Sequence, residues 1–452
     1  MAEISVIGGG LAGSEAAWQA AERGHKVNLY EMRPVRETGA HTSSYLAELV
    51  CSNSLGSKLS DRAPGVLKAE ISLMNSLLLR IANENAVPAG GALAVDRERF
   101  AQSVTQALVS HPNIEVIRKE VVKIPPGFTI VASGPLTSPA LSNRIMDLTG
   151  TSHLYFYDAI APIIDVESID FNIAYKGSRF GCGELDGGDY INCPLNDLEY
   201  RNFIQTLATA ESIELKSFER DVEFGVKAGA HHYFEGCLPV EVLSRRGEQS
   251  LAYGPMRPIG LRDPRTNKGA YAVVQLRQDN LAASLYNMVG FQTNLTYAEQ
   301  RRVFRMIPGL ENAVFERYGQ MHRNTFIYSP AYLKPSLQFH NRDDLFFAGQ
   351  ITGVEGYVGN IATGLLAGIN SALIASNHAP LRLPNTTMLG ALCEYITNAS
   401  AADFQPMKAN FGILPALGLD PPRNKRDRAA LYSKRAIEDL TSFLIDVKEL
   451  II

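Results

Sequence analysis

Ile4-Ser5-Val6-Ile7-Gly8-Gly9-Gly10-Leu11-Ala12-Gly13 stands near the head of the chain and decides its fold. Ile4 to Ile7 read as a short buried strand. The glycines fit G-x-G-x-x-G through Gly8, Gly10 and Gly13. Ser14 to Arg23 then carries Ala16, Ala17, Ala20 and Ala21 at helical spacing, and Gly24 closes the predicted helix. Val27-Asn28-Leu29-Tyr30-Glu31 is a second strand that ends on an acid. Each glycine has its own task. Gly8 permits a tight turn, Gly10 lets the backbone approach a pyrophosphate, and Gly13 lets helix and strand pack closely. Gly9, Leu11 and Ala12 complete the loop, and the helix N-terminus favours negative charge. Glu31 is expected to accept hydrogen bonds from ribose hydroxyls and to repel a 2′-phosphate, which excludes NADP here. Strand, glycines, helix, strand and acid in this order are far more specific than the glycines alone.

Two further stretches separate FAD from NAD. Thr129-Ile130-Val131-Ala132-Ser133-Gly134-Pro135 is a strand running into a small-residue turn. It is similar to a segment of two-dinucleotide-fold flavoproteins. Asp344-Leu345-Phe346-Phe347-Ala348-Gly349-Gln350 is another strand into glycine, followed after Gly353 by a predicted helix from Gly359 to Ala372. Gly364, Ala367, Gly368 and Ala372 give that helix a close-packing face. A C-terminal return that sets a helix N-terminus near a flavin ring suits FAD. The expected fold is α/β: a Rossmann-like FAD-binding domain interrupted by an α+β insertion. The expected boundaries are 1–195 and 324–452 for the two parts of the FAD-binding domain, the second with a C-terminal helical segment, and 196–323 for the insertion. Pro64 to Glu84 is expected to be one helix, and Pro380 to Pro384 a linker.

Composition narrows the class. The 452 residues carry a net charge of −4, and 20% of them are charged. No apolar run of about 20 residues is expected to span a bilayer. The opening strand leaves no room for a signal peptide, so a cytoplasmic location is expected. The five cysteines are scattered without a CxxC pair, against both a disulfide framework and a zinc site, so no metal is expected. Charge is uneven: between Val240 and Leu310 basic residues outnumber acidic ones ten to five. A second basic cluster holds Arg423, Lys425, Arg426, Arg428, Lys434 and Arg435. Basic faces on an acidic chain suit a polyanionic partner, although a solvated, ion-paired surface reads the same way.

Six stretches together carry a family resemblance. They are Ile7–Ala17, Tyr30-Glu31-Met32-Arg33-Pro34, Glu48-Leu49-Val50-Cys51-Ser52-Asn53-Ser54, Phe234-Glu235-Gly236-Cys237-Leu238-Pro239, Met321-His322-Arg323-Asn324-Thr325-Phe326 and Phe347–Tyr357. With these the chain resembles the folate- and FAD-dependent tRNA (uracil-5-)-methyltransferases, the TrmFO family, from about Ile4 to Pro415. The tail beyond Pro421 matches none of its motifs. The resemblance implies transfer of one carbon from methylenetetrahydrofolate to uracil C5 of a T-loop uridine in tRNA. Reduced FAD accepts the carbon and supplies a reducing equivalent, and NADPH or NADH restores the flavin.

The chemistry explains the residue types. Uracil C5 is a poor nucleophile until a thiolate adds at C6. Cys237, in its FEGC segment, is the implied C6 nucleophile, and Arg245 and Arg246 nearby favour a thiolate. Cys51 is implied to sit near the flavin and guard the one-carbon adduct. Without the resemblance, both cysteines read as core thiols. His322 is a candidate for stacking on folate or base, though a structural histidine fits equally. Arg323 is a candidate for a folate carboxylate or a phosphate. Glu355 and Tyr357, in the loop expected to face the flavin, are candidates for orienting the pterin or moving protons, against simple loop packing. Gly134, Gly349, Gln350 and Gly353 are expected at the cofactor. Two alternatives stay open: the same chemistry on ribosomal RNA, and a small-molecule flavin oxidoreductase.

Overall fold

A computed structural model describes residues 1–150, 154–213, 238–400, 404–418 and 421–448. Strands β1 (Glu3–Ile7) and β2 (Lys26–Glu31) pair in parallel, and helix α1 (Leu11–Glu22) connects them. The six-stranded sheet runs in the order Gln338–Phe339, Arg342–Phe347, Thr129–Val131, β1, β2, Ile114–Arg118. All neighbours are parallel except the first pair, which is antiparallel. Ile7, Val131 and Phe347 lie side by side in register. The glycine turns after these strands therefore leave the sheet at one edge. Connections depart in opposite directions on either side of β1, which opens a crevice at the carboxyl ends of the strands.

The far return of the chain is packed through glycines. The Tyr357–Ala375 helix lies on α1, and a Cβ at Gly364 or Gly368 would come within 2.2 Å or 2.5 Å of the carbonyl oxygens of Ala12 and Ala16. By length and composition this helix is apolar enough to cross a membrane, which corrects the expectation that no such run exists; almost all of it is buried in the core. An apolar helix sealed between a sheet and other helices passes the same compositional test as a membrane span.

A second six-stranded sheet is antiparallel, in the order Tyr175–Gly177, Tyr190–Leu195, Ala272–Gln278, Leu285–Met288, Ile163–Asp165, Phe315–Arg317. It has its own apolar core, which includes Tyr200, Phe203, Phe291 and Phe304. Its strands come from both sides of residue 196. A separate ribbon pairs Leu154–Ala159 with Met321–Phe326.

Two local expectations need correction. Pro64 to Glu84 forms two helices, α2 (Ala63–Leu73) and α3 (Leu77–Glu84). Asn75 turns left-handed at φ +58 between them, and the Ser76 hydroxyl accepts from Leu79 N–H to start the second. The Pro380–Pro384 stretch is not a loose linker. Leu381 and Leu383 are buried, and the Asn370 side chain bonds both backbone groups of Leu381.

Candidate functional site

The crevice holds an elongated cavity that opens to solvent. Gly8, Gly10, Leu11, Ala12 and Glu31 line it, with Gly134. Gly349, Gln350, Tyr357 and Asn360 line it too, and Gly349 stands close to Ala12. The helix N-termini at Leu11 and Tyr357 both lie on it, and first-turn N–H groups have no partner within their own helix.

The glycines divide the work by position. Gly8 has φ +106, and a Cβ there would sit 2.5 Å from Ala132 O. A Cβ at Gly13 would sit 1.8 Å from Gly8 O. At Gly10 and Gly134 a Cβ would meet nothing within 4 Å. The first two glycines are therefore demanded by the protein itself, whereas the last two border open space. Asn360 Oδ1 is buried at the cavity wall without a hydrogen-bond partner. An extended ligand with a phosphate near α1 and a polar ring near Asn360 fits these walls, as FAD does.

Glu31 is buried and well held. It accepts from Gly9 N–H at 3.0 Å, and from Arg33 N–H at 2.9 Å and Nε at 3.0 Å. Arg33 also bridges to Glu48 at 3.1 Å. Burial alone would raise the Glu31 carboxyl, but the Arg33 guanidinium and the backbone donors outweigh it and hold the group below its usual range. Glu31 thus stays an anionic acceptor. His41, which lines the cavity near Arg33 and Glu31, is pushed down to about 4 by burial and by Arg33, and so is neutral at pH 7.

The Cys51 loop lies against the start of the Tyr357–Ala375 helix. The Tyr357 hydroxyl accepts from the N–H groups of Cys51 (2.8 Å) and Ser52 (3.1 Å). Burial, reinforced by Cys51, raises the Tyr357 phenol, so it stays protonated. Asn53 is buried. It donates to Val95 O and to Gln278 O, and accepts from Arg277 Nε at 2.9 Å. Arg97, at the start of helix α4 (Arg97–Val109), donates to Asp279 at 2.9 Å and to Leu49 O at 3.2 Å. After the loop, the buried Lys68 amine donates to the carbonyls of Leu55 (2.7 Å) and Ser57 (2.9 Å); burial pushes it down to about 8. Cys51 therefore sits in an irregular, half-buried loop held from both sheets, beside two buried guanidiniums. Cys193 and Cys393 are buried thiols, raised by desolvation.

The structure thus brings most of the expected residues together. Gly9 and Gly13 stand just behind the cavity, and Gly353, at φ +82, packs on Phe404 instead of lining it. Glu355 is buried and accepts from Gln350 Nε2 at 3.1 Å. His322 and Arg323 lie on the ribbon strand, in register with Asp158 and Tyr157. Cys237 lies outside the described residues. Arg33, Arg97, Arg277 and Asp279 were missed as site neighbours. Arg33 stands two residues after Glu31, so its nearness is written in the sequence. Nothing in the sequence reveals that Arg277 reaches Asn53 across the sheets.

A family model described as glucose inhibited division protein A matches residues 3–379. The TrmFO methylenetetrahydrofolate–tRNA-(uracil-5-)-methyltransferase of Bacillus pumilus is 53% identical over 97% of this chain and 98% of its own. That of Halalkalibacterium halodurans is 53% identical over 98% of each chain. Among solved structures, Aquifex aeolicus GidA superposes with a TM-score of 0.68, covering 99% of this chain and 76% of its own, at 17% identity. The GidA likeness shows the shared fold; near full-length identity above one half places the chain within the TrmFO family of folate-dependent tRNA (uracil-5-)-methyltransferases.

Proposed function

We propose that this chain methylates uracil C5 in tRNA, at a T-loop uridine, with methylenetetrahydrofolate as carbon donor and FAD as cofactor. The observation that carries this reading is the identity of 53% to enzymes of that name over 97% of the chain. When bound, FAD carries the one-carbon unit and the electrons, which NADPH or NADH replaces. In this reading Glu31 holds the ribose, the turn from Gly8 to Gly13 and the start of α1 hold the pyrophosphate, and Gly134, Gly349 and Gln350 flank the ring. Gly353 shapes the loop before the Tyr357–Ala375 helix.

Cys237 is the proposed nucleophile. Its thiolate adds to uracil C6 and the electron pair moves onto C5 and the C4 carbonyl; C5 would then bond the methylene carbon, and loss of the C5 proton, a hydride supplied by the reduced cofactor and release of the sulfur would leave the methylated ring. Cys51 is proposed to guard the carbon on its way, held in place by Tyr357. Glu355 orients the pterin through Gln350, and His322 and Arg323 meet folate or RNA. The proposed substrate-side unit is 196–323 together with the strands from Ile163 to Leu195 that complete its sheet, the rest of 1–195 and 324–452 build the flavin side, and the proposed setting is the cytoplasm.

Purified protein is expected to be yellow. With a T-loop transcript, methylenetetrahydrofolate and NADPH it should form 5-methyluridine, located by mass spectrometry. Fully flavinated enzyme that gives no product overturns the reading. A ribosomal RNA fragment assayed beside the transcript, and modified in its place, redirects the substrate.

A further inference from the structure

Phe180 stands in the connection between Tyr175–Gly177 and Tyr190–Leu195 of the second sheet. Two features set it apart. The residue is 73% exposed, and its backbone is left-handed at φ 56, ψ 23. A bulky L residue adopts that region only when its surroundings impose it, and such strain concentrates at functional positions. The imposing contacts are visible. Phe180 N–H donates to Gly260 O at 2.7 Å, and Arg179 donates to Ile259 O at 2.7 Å and to Gln275 Oε1 at 2.9 Å. Asp189 fixes the loop from behind by accepting from the N–H groups of Glu184, Leu185 and Gly90. Gly260, at φ +82, leaves room for the ring, since a Cβ there would lie 2.9 Å from it.

The ring borders an open groove that Pro258, the exposed Ile259 and Arg262 also line. Arg179 and Arg257 adjoin lining residues in the chain. Arg179, Arg257 and Arg262 form no ion pair with a carboxylate among the described residues, and Arg257 lies close enough to disfavour the charge on Arg179. Of the acids of the loop, Asp189 is taken by backbone donors and the exposed Glu184 pairs with Lys58, which leaves the exposed Asp186 against three guanidiniums. One strand links Arg179, next to Phe180 in the chain, with the Cys51 loop. Gln275, which holds Arg179, and Arg277, which holds Asn53, are two residues apart on one strand, so they share a face of the sheet at a spacing of about 7 Å.

We propose that this groove is an RNA contact: the Phe180 ring stacks on an unpaired base of the tRNA near the target uridine, and Arg257 and Arg262 meet phosphates. A T-loop uridine is stacked within folded tRNA, so reaching it displaces bases, and a displaced base needs a surface to stack on. An exposed aromatic face beside cations without acid partners is built for that, because every base has a π-face and every linkage a negative charge. A second copy of this chain would leave the guanidiniums uncompensated. The inference rests on the tRNA reading above.

The test uses flavinated enzyme and the T-loop transcript. Phe180→Ala should raise KM and Kd for RNA about 5- to 100-fold, while KM for methylenetetrahydrofolate and flavin content stay at wild-type values. Phe180→Gly should do the same with an equal or higher melting temperature, since it relieves the left-handed strain; a merely structural phenylalanine gives the opposite sign. Phe180→Trp should retain affinity. Arg257→Ala with Arg262→Ala should flatten the slope of log K against log salt by about 1–2. Unchanged RNA affinity in Phe180→Ala and Phe180→Gly overturns the proposal, as does a fall from dimer to monomer mass without loss of RNA affinity. Wild-type enzyme that makes no 5-methyluridine but binds RNA through Phe180 sinks the methylation reading and keeps the groove. Methylation untouched by these variants does the reverse.

Discussion

At Gly10 a Cβ would point into open space, while at Gly13 it would strike Gly8 O at 1.8 Å. The two glycines of one motif should therefore fail differently. Gly10→Val is expected to fold with an unchanged apoprotein melting temperature and to bind FAD at least tenfold more weakly, a loss of about 1.4 kcal/mol or more. Gly13→Val should destabilise the apoprotein itself by about 1–3 kcal/mol. Melting curves with and without flavin separate the two. Tyr357→Phe deletes the acceptor for two N–H groups of the Cys51 loop, at a cost of about 1–3 kcal/mol to that loop. Cys51 should then alkylate faster with iodoacetamide, followed by peptide mass; an unchanged rate removes Tyr357 from the positioning of Cys51. The glycines and Glu31 were legible because backbone conformation and an acid at a strand end are written locally. The surroundings of Cys51 were not, since Arg97, Arg277 and Tyr357 reach it from three distant parts of the chain.

Two elements meet where Glu70 of α2 accepts from the N–H groups of Met388 (2.6 Å) and Leu389 (2.9 Å), at the start of the Met388–Asn398 helix. The carboxyl is buried, and desolvation pushes it up to about 7. A raised folded value means that the native state holds this proton more tightly than the unfolded chain. Stability from this group is thus greatest below about pH 4.5 and declines as pH rises toward 7, by about 3 kcal/mol. Glu70→Gln should remove that slope, measured as urea unfolding free energy between pH 5 and about 8; an unaltered slope refutes it. Helix existence was legible from periodicity. The break at Asn75 was not, because a left-handed asparagine leaves the apolar spacing on both sides intact. The buried Leu381 and Leu383 likewise hid behind two prolines that read as punctuation.

Across the whole molecule, the two sheets are joined where Arg97 of the flavin side pairs with Asp279 at the end of the Ala272–Gln278 strand. Both are largely buried, so Arg97→Ala strands a carboxylate and should cost about 3–5 kcal/mol. Arg97→Met with Asp279→Leu should restore most of it; equal losses in single and double variants would show that the pair itself matters little. The doubly returning architecture was legible because Gly134 and Gly349 each follow a strand. The antiparallel sheet was not, since its strands are short and their order is set by pairing across long connections. The glycine seam between α1 and the Tyr357–Ala375 helix has a consequence during synthesis. The first βαβ unit emerges early, yet the partner that covers α1, and the Leu345–Phe347 strand that flanks Thr129–Val131, come late. Until then an alanine- and glycine-rich face stays open to neighbours on the polysome. A nascent chain halted before Tyr357 would emerge colourless and dependent on chaperones, and flavin loading becomes a checkpoint passed only after most of the message has been read.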